Sequence, residues 1–353
     1  MASRALGGAE RFYIRLVEAL ARAGQPPLAV TRPDSPVART LDPAIEQVHL
    51  PMAATWDVLS RWRLTRLIAQ RRPDIVQTYM SRATRLTRLP AHSPAQLVAR
   101  LGGFYRVRGA FEHADAWIGN SQAVCDHLLA AGLPAERVTL IGNFVAAPRE
   151  VPAQDVAALR RQLDIPEHAR VLLTLGRMVE CKGFTDLLEA LALVPDVPGA
   201  RPLVLVIAGD GPGMAELRAQ VAQLGLQARV RLPGWQDDTE PFYALAELFV
   251  CSSRREALGN VILEAWRHRL PVLSTRNEGA LTLITEDRNG LLAPVRNPAG
   301  LAEGLRRLAA LSAPEAAALA EAGFDTVERE HGEERVVQAY LELYDRLMRG
   351  RAR

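Results

Sequence analysis

The chain has 353 residues, about two domains of ordinary size, with 48% hydrophobic and 24% charged residues. That is a globular composition, and its longest apolar runs, such as LVLVIAG, are far too short to cross a bilayer. Net charge is +3 but uneven: residues 1–150 hold 19 Arg against 12 Asp and Glu, a balance of +7, and the remainder carries −4. The basic first half lacks an aromatic-basic interleave or any nucleic-acid motif. It is expected to meet an anionic membrane surface or an acidic acceptor, and not nucleic acid. Cys125, Cys181 and Cys251 are scattered, with no metal-binding spacing. Residues 1–8 hold no apolar core of the length a secretory signal requires. Reduced thiols in a cytoplasmic protein are therefore expected.

The chain opens with a glycine pair, Gly7 and Gly8, leading straight into an amphipathic helix pattern at 9–23. In α/β proteins such a turn follows a strand, and here no strand precedes it. Short β-branched runs then follow at 28–31, 47–50, 74–78, 96–101, 116–119 and 138–141. Helical patterns lie between several of them. A proline-rich stretch at 143–154 breaks the periodicity and suits a linker. A second series of strands is expected at 171–175, 204–208, 230–232, 248–251, 272–274 and 290–292. It alternates with helices at 184–193, 213–224, 261–268 and 298–311, and residues 315–353 are helical in pattern. This alternation predicts two doubly wound parallel domains, with ligands bound beyond the carboxyl ends of the strands. The expected domains are 1–148, 149–330 and a closing helical segment, 331–353, that packs back on the first.

The turns after the strands hold the chemistry. In CSSRREALGNVILEAW, Glu256 lies before a helix that begins near Gly259, and Glu264 lies on it. The N–H groups of Leu258, Gly259, Asn260 and Val261 stand at the positive end of that helix, a natural phosphate seat. A nucleotide diphosphate there would place its sugar and its ribose on opposite sides, with one carboxylate reaching each. In LLTLGRMVECKGF, Gly176 turns the chain, and Arg177 and Lys182 can neutralise a diphosphate and stabilise charge on a leaving phosphate. Lys182 is the only lysine in the chain. Gly209 lies in a third glycine turn, AGDGPG. Gly234-Trp235 could stack a nucleobase, or Trp235 could be a buried residue packing the next helix. No Asp-x-Asp pair occurs, so no metal held in that way is expected, and no cofactor.

Taken in order over residues 7–295, these stretches resemble family 4 (group 1) of the retaining nucleotide-sugar glycosyltransferases. The resemblance rests on GGAE, IGNSQAVCDHLLAAGLPAERVTLIGN, LGRMVECKGFTDLLEAL, VIAGDGPGMAEL, EALGNVILEAW and LPVLSTRNEGALTLITEDRNGLL. It implies the GT-B fold, two Rossmann-like domains facing across a cleft, the first lacking its first strand. It implies a UDP- or GDP-sugar donor held mostly by the second domain, with Arg177 and Lys182 on the diphosphate. Glu256 would meet the donor sugar, Glu264 the ribose, and Gly7 and Gly8 the phosphates or acceptor. The reaction implied is front-face transfer with retention, to a cell-envelope glycan or lipid-linked acceptor such as lipopolysaccharide core. The enzyme would be cytoplasmic, with possible peripheral contact at the inner membrane. A GT-B epimerase or phosphorylase, and a non-catalytic nucleotide-sugar binder or partner subunit, are the competing readings.

The chain departs from the family pattern in three places. The family's first-domain histidine has no counterpart in LVARLGGFYRVRG; Gly102, Gly103 and Arg100 are the nearest substitutes, and His113 is expected on a helix. In NEGALTLI, Thr282 stands where the family has a glutamate, and one glycine of a pair is replaced by Ala280. The strand before Gly7 is absent, which leads to the expectation that Met1 is internal to a longer natural protein.

Overall fold

Continuous apolar runs become strands covered on both faces. All six residues of Leu203–Ala208 are buried, and five of six in Arg170–Leu175, as expected for the interior of a parallel sheet. The computed structural model describes residues 1–4, 6–195 and 201–350. The chain forms two compact units, Met1–Phe144 with His331–Arg353, and Val145–Glu330.

The first unit runs α1 (Gly8–Arg22), β1 (Ala29–Thr31), α2 (Pro36–Thr40), β2 (Gln47–His49), α3 (Val58–Arg71), β3 (Ile75–Tyr79), α4 (Met80–Leu86), β4 (Gln96–Leu101), β5 (Ala116–Gly119), α5 (Gln122–Ala130) and β6 (Val138–Leu140). Its strands are parallel and fall into two sheets, β1-β2 and β3-β4-β5-β6. No strand precedes α1 among the described residues. Side-chain caps start several of the helices: the Asp57 carboxylate accepts from Ser60 N–H at 2.9 Å, and Ser121 Oγ from Val124 N–H at 3.3 Å.

The second unit runs α6 (Ala153–Gln162), β7 (Arg170–Leu175), α7 (Phe184–Ala192), β8 (Leu203–Ala208), α8 (Met214–Gln223), β9 (Val230–Gly234), α9 (Glu240–Leu245), β10 (Leu248–Cys251), α10 (Asn260–Arg267), β11 (Val272–Thr275), α11 (Glu278–Leu283), β12 (Leu291–Ala293), α12 (Pro298–Ala310) and α13 (Ala313–His331). Its strands form one parallel sheet in the order β12-β11-β10-β7-β8-β9. The chain therefore winds outward from β7 through β8 to β9, returns to the other side of β7, and winds outward again.

The helical tail breaks at Gly332, and α14 (Glu333–Arg349) belongs to the first unit. One face of α14 buries Val336, Val337, Tyr340 and Leu343, at helical spacing, against Phe12, Leu16, Val98 and Ile118. Arg100 ties this packing together. It is 2% exposed, lies 4.2 Å over the Phe12 ring, donates to Tyr340 Oη at 3.1 Å, and donates to Asn143 Oδ1. A buried guanidinium is tolerated here because aromatic faces and acceptors replace its water.

Removing that guanidinium takes the donor from the Tyr340 hydroxyl and one donor from the Asn143 side chain, inside a buried core. Arg100→Leu is expected to destabilise the first unit by about 2–4 kcal/mol, read as a shift in its urea midpoint within the full chain. An unchanged midpoint would show that the tie contributes nothing.

Candidate active site

Right-handed crossovers place α7 and α10 on opposite faces of the sheet, because the chain leaves β7 and β10 in opposite directions. A crevice opens between the loops after these two neighbouring strands, and that is where ligands of doubly wound sheets bind. The two loops carry the residues the sequence singled out. The loop after β7 holds Gly176, Arg177 and Lys182; the loop after β10 holds Glu256, Leu258 and Gly259.

Lys182 Nζ lies 2.6 Å from Glu256 Oε2, and Ser253 Oγ donates to the same carboxylate oxygen at 3.0 Å. Both charged side chains are about one-fifth exposed, so the pair sits at the bottom of an opening rather than sealed inside. Burial pulls the Lys182 ammonium's pKa down, but Glu256 outweighs it and leaves the pKa raised. Lys182 is thus a fixed cation at neutral pH. Burial pushes the neighbouring Cys251 thiol up, and Glu256 adds to the rise, so Cys251 stays neutral.

The start of α10 is open. Gly259 is its N-cap at φ 89°, a left-handed conformation that glycine adopts freely, and no side chain caps the helix. Ile262 N–H returns to Gly259 O at 2.9 Å, while Leu258, Gly259 and Val261 have N–H groups without a partner among the described residues. An anion placed there would meet unpaired donors and the positive end of the helix. Arg177 is exposed beside this loop pair and has no ion pair among the described residues. Glu264, one turn along α10, accepts from the Tyr243 hydroxyl at 3.0 Å, and Tyr243 in turn stacks on His268 at 4.5 Å.

Gly209 shows why its turn is glycine-rich. At φ 144°, a Cβ would stand 2.0 Å from Gly176 O, so a side chain there would force the loop after β7 away from β8. Met178 N–H donates to Asp210 O, and Gly213 N–H to Met178 O, each at 2.9 Å, joining the two turns. Gly209 N–H donates to Gly234 O at 2.9 Å. Trp235 is half exposed, its indole N–H donating to Asp237 at 2.8 Å, so it is not a buried residue packing the next helix.

Side chains beyond the predicted site residues build the frame. Arg254 donates to both oxygens of Asp186, at 2.6 and 2.8 Å, and pairs with Glu180 at 3.0 Å. Its N–H donates to Cys181 O at 2.8 Å, and Ser252 Oγ to Lys182 O at 3.0 Å, so the two loops are stitched face to face. Asn277, the N-cap of α11, donates to Ser253 O at 3.2 Å, and Gly279 N–H donates to Glu256 O at 2.9 Å. Arg254 lies inside the motif itself and was the one visible signal; Asp186, Tyr243 and Asn277 lie outside it.

Gly7 and Gly8 belong to the first unit, at the start of α1, where Gly7 N–H donates to Glu10 Oε2 at 3.0 Å and Gly8 is exposed. Arg100 is not a substitute for the missing histidine: its guanidinium is spent on the core described above. His113 lies in a run of turns, not on a helix, and faces Thr84 O and Thr87 O. Among the described residues no group of three or more His, Cys, Asp or Glu is gathered to hold a metal ion.

Comparison with known proteins matches each half of the chain to a family. Residues 155–325 match the family described as glycosyl transferases group 1, and residues 6–148 match glycosyltransferase family 4. The chain is 34% identical to the lipopolysaccharide core biosynthesis glycosyltransferase LpsE of Rhizobium meliloti, over 96% of this chain and 95% of that one. It is 31% identical, over the same shares, to LpsD of the same organism, which bears the same description. Its fold matches the crystal structure of HepE from Anabaena, in complex with UDP and glucose. The TM-score is 0.82 at 21% identity, over 97% of each chain.

Arg254→Met would leave Asp186, only 11% exposed, without its partner. A loss of about 3 kcal/mol is expected, measured by denaturation of the full chain. Retention of wild-type stability would show the loops are held by their backbone bonds alone.

Proposed function

Because this chain is a member of the family 4, group 1 glycosyltransferases, we propose that it moves a hexose from a UDP- or GDP-sugar onto a lipopolysaccharide core acceptor. The observation that carries this is the Lys182–Glu256 pair, 2.6 Å apart, beside the open start of α10. A diphosphate fits the unpaired N–H groups of Leu258, Gly259 and Val261, with Lys182 and Arg177 meeting its charge. Glu256 then faces the donor sugar, and Glu264 the ribose, steadied by Tyr243. Gly234 and Trp235 lie toward the nucleobase, and Gly7 and Gly8 serve the acceptor side. The relatives named for lipopolysaccharide core biosynthesis support the acceptor class. The UDP and glucose named with the Anabaena fold neighbour agree with the donor class.

In this reading the bond between the sugar's anomeric carbon and the phosphate oxygen breaks with its electron pair leaving on the phosphate. Lys182 and Arg177 stabilise that charge as it grows. The acceptor hydroxyl attacks from the same face, so configuration is retained, and its proton passes to the departing phosphate oxygen. The chain's own cations supply the charge that a metal would otherwise bring. Lys182→Met and Glu256→Gln are each expected to lower kcat by about 10²–10³, with activity surviving EDTA. Tyr243→Phe is expected to weaken donor binding by about 3–10-fold. The assay is nucleotide release with and without extracted core acceptor. Tight nucleotide binding without turnover over a broad acceptor panel would reject transfer, and epimerised free donor would indicate the epimerase instead.

The acceptor class favours work at the cytoplasmic face of the inner membrane, through the first unit. No helix among the described residues is long and apolar enough to cross a membrane. The start of α3, however, exposes Trp56 at 81%, Val58 at 75%, Leu59 at 51% and Trp62 at 56%. Arg61, Arg63 and Arg66 are exposed on the same helix, with Arg66 stacked 5.5 Å from the Trp62 ring. Aromatic and aliphatic side chains among arginines suit an anionic lipid interface. Sedimentation with vesicles containing anionic lipid should retain the protein, and Trp56→Ser with Trp62→Ser should release most of it; equal retention of both would remove this surface from the account.

A further inference from the structure

Arg100, buried in the first unit, has the Tyr340 hydroxyl, the Asn143 side chain and the Phe12 ring around its charge. Arg32, the first residue after β1, has no such company. It is 8% exposed, and its guanidinium makes one hydrogen bond, from Nη1 to Met52 O at 2.7 Å. Its other donors have no partner among the described residues, yet they still reach solvent, unlike Arg267 Nε, which is sealed from it. Arg82, in the first turn of α4 and so just beyond β3, donates only to Ala2 O, at 3.4 Å. Neither arginine has an ion pair among the described residues.

Packing brings these two arginines to one place. Met52, in the loop after β2, holds Arg32 through its carbonyl, while its side chain packs with Ala83 and Leu86 of α4, the helix that carries Arg82. Burial, then the like charges of Arg4 and Arg82, pull the Arg32 pKa down, and the Asp57 carboxylate only partly opposes them. Asp57 is already engaged: it accepts from Ala53 N–H at 3.0 Å, Ser60 N–H at 2.9 Å and the Ser60 hydroxyl at 2.7 Å. Two non-glycine residues beside this cluster take left-handed backbone, Met52 at φ 40° and Met80 at φ 64°. Such conformations cost energy and persist where a site over-determines them. Met52 is gripped from both sides, its N–H donating to Ser60 Oγ at 2.9 Å and its carbonyl accepting from Arg32. Like charges gathered beyond the carboxyl ends of parallel strands, where ligands bind, are unfavourable until an anion meets them.

We propose that Arg32 and Arg82, with Arg4 beside them, form an anion site that binds a phosphate or carboxylate group carried by the acceptor. The site stands on the geometry of the first unit; naming the acceptor as the carrier of the anion rests on the transferase reading above. Planar forks approaching from different loops match the oxygens of either group, and a neutral sugar would leave the repulsion as it is. The excess of arginine in residues 1–150, a balance of +7, accords with an acceptor of opposite charge.

The test uses the full chain and three acceptors: native extracted core, core stripped of phosphate with hydrofluoric acid, and core with its carboxylates reduced to alcohols. Arg82→Gln is expected to raise the KM for native core by about tenfold or more, with kcat and donor KM unchanged. One of the two treatments should impose the same loss on the wild-type protein, which tells phosphate from carboxylate, and Arg82→Gln should lose nothing further on that acceptor. Arg32→Lys, which keeps the charge but not the fork, should fall between. Equal KM for all three acceptors in the wild-type protein overturns the site, as does an equal rise for native and treated core in Arg82→Gln, or a rise in donor KM. Loss of binding to vesicles of phosphatidylglycerol and phosphatidylcholine with acceptor KM unchanged also overturns it, since the arginines would then serve a lipid surface. Calorimetric titration with native core needs no turnover, so it separates this site from the transferase reading: binding about tenfold weaker in Arg82→Gln supports the site even if no sugar is transferred, and equal or absent binding overturns it.

Discussion

A parallel sheet must return its chain to the same end after every strand, and right-handed crossovers fix the face on which each return lies. In the second unit the consequence is decided at one place, between β7 and β10. The chain leaves β7 toward β8 and leaves β10 toward β11, so α7 and α10 are driven to opposite faces. Each helix then leads away from the other, and the carboxyl ends of two adjacent strands are left open. Lys182, Glu256 and the start of α10 stand at that opening because topology leaves no helix to cover it.

An opening of this kind is useful only if its walls hold still. Two loops with a lysine and a glutamate would drift without further restraint, since an exposed ion pair contributes about 0–1 kcal/mol. Arg254 supplies the restraint with a planar fork that meets both oxygens of Asp186, backed by the Arg254 main-chain N–H and the Ser252 hydroxyl, which donate to the carbonyls of Cys181 and Lys182. Asn277 and Gly279 brace the same loop from α11. The Lys182–Glu256 pair is thus prepositioned by groups that lie outside it. Lys182 is suited to its place because a compact ammonium can approach Glu256 at 2.6 Å while Ser253 shares the same oxygen.

Much of this was legible in the sequence where the controlling physics is local. The bounds of β4, β5 and β10 coincide with those read from apolar runs, because each is a continuous buried stretch with a turn at its end. Gly209 and Gly259 were legible for the same reason: only glycine suits their backbone, so the residue type announces the turn. The partners of Arg254 and Glu264 were not legible, since Asp186 and Tyr243 lie 68 and 21 residues away and nothing local encodes the meeting. Arg100 misled for a related reason. It lies near the carboxyl end of a strand, where site residues gather, but its acceptors come from positions 143 and 340, which no local pattern reveals. Trp235 was left open between exposure and burial, and a glycine at φ 80° before it turns it outward.

The Arg100–Tyr340 contact joins residues 240 positions apart, while the second unit is one unbroken stretch, Val145–Glu330. On a ribosome, residues 1–144 emerge first yet lack α14, which covers Phe12, Leu16 and Val98. The second unit emerges whole and can close its own core before the chain ends. The order of completion is therefore the reverse of the order of synthesis, and the first unit's apolar surface waits uncovered through translation of the second. A chain built this way has a reason to be made where a chaperone, or a surface that shields apolar residues, is close at hand.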